Sequence, residues 1–195
     1  MTCSVFVPPE PIADARYRPN ALNKFALSTF SLQLRALLDI KKGDEIFVSY
    51  LALPETTPKR QATLAPYGFQ CTCASCTLPS YDHLYQKFRD CIMHLYNSFD
   101  KWVQDRSLPQ DHLIKQALAL VPLLETNGFY CMNIYEINFV TLMKCYVALG
   151  DLPNAMKYSN ICGIWHLVRE GNSELYEGMK NPQAHLRNSG WGARA

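Results

Sequence analysis

Cys71, Cys73 and Cys76 lie within six residues of one another in the string YGFQCTCASCTLP, between Gly68 and Pro79. Three thiols this close cannot all pair among themselves. Zn²⁺ suits them, because it has no d-electron geometric preference and binds thiolate sulfur at about 2.3 Å in short chelate loops. The spacing therefore predicts a zinc loop, with an ordinary cysteine-rich turn as the plainer alternative. Disulfide use is the weaker option in a reducing compartment. Of the other five cysteines, Cys91, Cys131, Cys145 and Cys162 stand singly among apolar residues at helical spacing and read as buried core thiols, while Cys3 sits in a proline-rich leader.

The elements that must hold this loop change character along the chain. Residues 1–18 form an irregular leader, since Pro8, Pro9 and Pro11 forbid a regular helix. Residues 20–51 read as strands: Phe25, Leu27 and Thr29 share one face, Leu32, Leu34 and Ala36 another, and IFVSYL is rich in β-formers. Lys42-Gly43-Asp44 supplies a tight turn between them. Thr57-Pro58 then predicts a helix start, with Pro66 as its stop, immediately before the thiols. From Ser80 the apolar period lengthens to 3.6. Leu84, Phe88, Cys91, Ile92, Leu95, Phe99 and Trp102 predict one long amphipathic helix. Asp111 opens a second, in which Pro122 predicts a kink or break; Phe129 to Leu149 reads as a third, ended by Gly150; Asp151 caps a fourth carrying Ala155, Tyr158, Cys162 and Trp165 inward. The unit CYVALGDLPNAMKYSNI has the spacing of a tetratricopeptide-like hairpin without a second clear copy, so a plain antiparallel helical packing stands beside it. The histidines on these helices lack metal spacing and read as surface or packing residues. The tail after Asn181 reads as loose.

Composition limits the function classes. The chain has 195 residues, 48% of them apolar, with 19 Lys and Arg against 17 Asp and Glu and hence a formal charge of +2. That is ample for a packed core and too evenly balanced to point to nucleic acid or an anionic membrane surface. A zinc-ribbon reader of nucleic acid would need two separated thiol pairs and a basic face. The longest unbroken apolar run, Ala117 to Leu124, is eight residues, whereas a spanning helix needs about 20. The start lacks the basic and apolar regions of a secretory signal, so cytoplasm or nucleus is expected.

Taken in order, Pro19-Asn20-Ala21, two strands, LDIKKGDEIFVSYL, a helix with Arg60 and YGFQCTCASC resemble the C-terminal half of a SET domain with its post-SET loop, and the helical hairpins that follow resemble the SMYD-type branch. The resemblance implies an α+β chain: irregular leader 1–18, C-terminal part of a SET domain 19–66, post-SET zinc loop 67–79, an all-α antiparallel tetratricopeptide-like region 80–181, and a tail 182–195. The family consists of protein-lysine N-methyltransferases using S-adenosylmethionine. A lysine amine with an ordinary pKa of about 10.4 must be neutral to attack the sulfonium methyl in line, so such a site desolvates and orients it. By this resemblance Tyr50 is the catalytic tyrosine that aims the amine, Tyr67, Phe69 and Asn20 lie on the cofactor side, and Cys71, Cys73 and Cys76 are three zinc ligands. The partner implied is a lysine-bearing protein or peptide.

The sequence also departs from that pattern. The family motif Asn-His-Ser-Cys-x-Pro-Asn aligns with Asp14, Ala15, Arg16, Tyr17, Arg18, Pro19 and Asn20, so only its last two residues match. The motif's cofactor-contacting Asn and His are replaced, and Tyr17 stands where a fourth zinc thiolate is expected; Cys3, His83 or water is left to complete the metal. The thirteen residues before Asp14 contain no glycine for a cofactor loop. A truncated product with impaired or no methyl transfer is expected, its exposed strand edges favouring association with another chain. The alternative is a non-catalytic, zinc-stabilised protein-binding module built on the helical region.

Overall fold

The computed structural model describes residues 19–27, 29–48, 56–68, 70–72, 74–78, 80–171 and 190–195. Its elements are β1 (Ala21–Ala26), β2 (Ser31–Ala36), α1 (Thr57–Leu64), α2 (Ala74–Thr77), α3 (Tyr81–Asn97), α4 (Phe99–Gln104), α5 (His112–Thr126), α6 (Asn133–Leu149) and α7 (Leu152–Glu170), with short 3₁₀ turns at Ala65–Tyr67 and Phe129–Cys131. The described chain is mostly helical with one small antiparallel sheet, which agrees with an α+β class.

The core sits among α3, α5, α6 and α7. Leu113, Ala117, Leu120 and Leu124 recur on one face of α5, and Leu84, Phe88, Cys91, Ile92 and Leu95 on one face of α3, all of them buried. Phe129 fills the space between these helices, its ring 5.4 Å from that of Tyr81, 5.7 Å from Tyr85 and 5.3 Å from Phe88. α6 and α7 run antiparallel: Tyr135 and Glu136 near the start of α6 meet Trp165 and Arg169 near the end of α7, while Tyr146 stacks on Tyr158. The hairpin between them forms as its sequence predicts, with Asp151 accepting from the Asn154 amide at 3.1 Å.

Several expectations change. The single long helix after Ser80 divides at Ser98, whose amide is shared between the carbonyls of His94 and Leu95, so the apolar stripe is carried by α3 and α4 together. Pro122 does not end α5, which runs on to Thr126 with Pro122 and Leu118, four residues before it, both exposed. Of the expected loose tail only residues 190–195 are described, and there Arg194 is only 1% exposed. Cys131, Cys145 and Cys162 are buried as expected, whereas buried Cys91 is disulfide-bonded.

The sheet pairs Asn23 with Leu34 and Phe25 with Leu32 across β1 and β2. That pairing puts the apolar residues on the outer face: Leu32 is 62% and Leu34 53% exposed. The polar face, with Gln33 and Arg35, is the half-buried one. Arg35 reaches the end of α7, where its Nη1 donates to the Val168 carbonyl at 3.5 Å. Gly171 closes α7 at a backbone φ of +66°, which strains a side-chain-bearing residue, and the Arg35 guanidinium lies against it. Residues 45–47 run beside the start of β1, and the IFVSYL segment is not an assigned strand where it is described.

Candidate functional site: the thiol loop and its joint

α1 and α3 hold the thiol loop between them. Asp82, in the first turn of α3, accepts from the Thr57 amide at 2.7 Å and from Thr57 Oγ1 at 3.1 Å, so a carboxylate 25 residues away satisfies an orphan donor at the start of α1. Thr56, at the N-cap position, makes no side-chain cap bond of its own. Arg60, one turn on, is only 2% exposed and donates from Nη1 to Asp82 Oδ1 at 3.1 Å and from Nη2 to Thr57 Oγ1 at 2.5 Å. Its guanidinium lies 6.0 Å from the centre of the Tyr81 ring.

The same two turns of α1 reach the cysteines. Gln61 makes a two-point clamp on the backbone of Cys71, donating from Nε2 to its carbonyl at 2.7 Å and accepting from its amide at 3.1 Å. Arg60 Nη2 also donates to Cys76 Sγ at 3.7 Å. Cys71 is buried in the main core, to which Leu64, Tyr81 and Leu84 also belong, and Cys76 is half-buried against it.

The thiols of Cys71 and Cys76, on one loop, fit a soft divalent ion in ligand type. Among the described residues no three His, Cys, Asp or Glu side chains gather at a common point, and Cys73 lies outside those residues. Elsewhere the thiols are of another kind: burial pushes those of Cys145 and Cys162 up to about 12, which keeps them protonated and unreactive near neutral pH.

The remaining site residues named from the sequence are dispersed. Asn20 uses both ends of its carboxamide on the backbone, donating to the Glu45 carbonyl at 2.9 Å and accepting from the Phe47 amide at 2.8 Å. It ties residues 45–47 to the start of β1. Tyr67 is 82% exposed on the 3₁₀ turn after α1. Tyr50 and Phe69 lie outside the described residues. Sequence reasoning missed Gln61 and Asp82; neither carries a local signal, since each acts on a backbone group ten or more positions away.

A second concavity, of about 450 Å³, opens between the end of β2 and the helices, lined among others by Leu37, Leu38, Tyr130 and Trp165. In its wall the Tyr135 hydroxyl donates to Glu125 Oε1 at 2.7 Å, and burial together with that carboxylate raises the phenol well above its ordinary range. No helix among the described residues is long and apolar enough to cross a membrane. No protein-family model matches the chain, and no curated protein matches it.

Proposed function

We propose that the chain is a SET-type relative of the SMYD-like protein-lysine N-methyltransferases that works as a zinc-stabilised protein-binding module, with methyl transfer of its own slight or absent. The observation that carries this reading is the double hold of α1 on the thiol loop, Gln61 on the Cys71 backbone and Arg60 on the Cys76 sulfur. It fixes the approach of two candidate ligands before any ion arrives. Zinc, when bound, supplies a crosslink that closes the loop. Cys71 and Cys76, with Cys73, would hold it, while Arg60 and Asp82 keep α1 and α3 in register around it.

The cofactor-side residues favour the binding role over the catalytic one. Asn20 is occupied with the backbone of residues 45–47, and Tyr67 stands in solvent. In the catalytic alternative, S-adenosylmethionine supplies the methyl group and the Tyr50 hydroxyl orients the lysine amine. Calorimetric titration with S-adenosylmethionine, paired with a radiolabelled methyl-transfer assay on a lysine-rich protein, separates the two. No heat and no labelled product are the expected results. Saturable binding with product formation, lowered about 100-fold by Tyr50→Phe, would establish the catalytic alternative instead.

A further inference from the structure

The helical region holds residues 190–195 as a receptor holds a peptide. Arg194 donates from Nη1 to the Trp102 carbonyl and, at 2.9 Å, to that of Asp105, and from Nη2 to the Leu108 carbonyl at 2.5 Å. These oxygens lie at and beyond the C-terminus of α4, where helix carbonyls lack internal donors and the helix dipole favours a cation. The guanidinium carbon sits 4.3 Å from the centre of the Trp102 ring, a cation–π distance. Trp102 is itself fixed by donating from Nε1 to the Pro109 carbonyl at 3.1 Å.

The backbone around Arg194 is gripped as well. The amides of Gly192 and Arg194 donate to the carbonyls of Val147 and Ala148 at 3.0 and 2.7 Å, at the end of α6. Arg106 donates to the carbonyls of Arg194 and Ala193 at 2.6 and 2.8 Å. Among the described residues, these host groups all come from residues 102–148, and residues 190–195 supply what is held. Two successive turns, closed by the amides of Ala193 and Ala195 on the carbonyls of Gly190 and Gly192, shape the held segment. Gly192 has φ +66°, which side-chain-bearing residues rarely adopt.

We infer that the end of α4 is an arginine-recognition site, filled in cis by Arg194, which takes an arginine-bearing peptide of Gly-x-Gly-Ala-Arg type from a second molecule once residues 190–195 are displaced. The site reads arginine rather than lysine, because a planar fork reaches three separated carbonyls and stacks on an indole, whereas an ammonium is a single point donor. It is independent of whatever the thiol loop binds. A tethered segment competes at an effective concentration of roughly millimolar, so the native chain masks its own site.

The test is fluorescence polarisation with a labelled peptide Gly-Trp-Gly-Ala-Arg-Ala, titrated with the full chain and with its Arg194→Ala variant. The variant is expected to bind at least about tenfold tighter than the native chain, and a peptide with Lys or Ala in place of its Arg should lose about tenfold or more. Gly192→Val, which strains the held turn and leaves the host residues intact, is a second route to the same open site and should bind as Arg194→Ala does. Equal binding by native and variant chains, equal binding of the Ala-substituted peptide, or absence of binding by variants that still melt cooperatively would overturn the inference.

Discussion

The sheet and the helical region use apolar residues in opposite ways. In α3, α5 and α6 the apolar stripe turns inward onto Phe129 and its three ring neighbours, whereas in β1 and β2 it turns outward to solvent and the polar face lies half-buried on α7. A two-stranded sheet cannot cover its own apolar face, so its order is borrowed from contacts such as Arg35 on the end of α7. The helical region supplies most of the core, which Leu64 and Cys71 extend toward the thiol loop. Between the two stands the joint of α1 and α3, where polar contacts from Arg60, Gln61 and Asp82 add to the burial of Cys71.

Substitutions graded across these regions sharpen the contrast. Phe129→Ala removes a fully buried ring from an aromatic cluster and should lower stability by about 3–5 kcal/mol in urea denaturation. Arg60→Ala strips Asp82 and Cys76 of their guanidinium at a buried point and should lower it by about 3 kcal/mol; a loss close to zero would reduce the joint to a surface ion pair. Leu34→Thr on the outer sheet face should change stability by no more than about 0.5 kcal/mol. If it matched the effect of Phe129→Ala, that face would be core, and the contrast between the regions would fail.

Much of the helical region is legible in the amino-acid order because its signals are local. The 3.6 period marks α3 and α5, and Asp151 caps α7 through an amide three residues away. Pro122 misleads, since whether a proline breaks a helix depends on which side faces water, and that is set by the packing of α5 as a whole. The strand faces mislead for a related reason: alternation tells which residues share a face, and only the neighbouring helix decides which face it covers. At the site, the cysteine spacing is plain in the sequence while the residues that hold the loop are not. Asp82 reaches Thr57 and Arg60 across more than 20 positions, and Gln61 reads as an ordinary polar helix residue until Cys71 is laid beside it. Arg194 is similar, because nothing in GWGARA announces that α4 ends where its guanidinium arrives.

The most direct measurement is the zinc content of the purified full chain, by metal analysis and by colorimetric release on thiol modification. About one Zn²⁺ per chain is expected, lost on Cys71→Ser or Cys76→Ser with the helical circular dichroism retained. A chain that carries no zinc after purification with the metal supplied, or that keeps its zinc with both cysteines replaced, would contradict a metal-holding thiol loop.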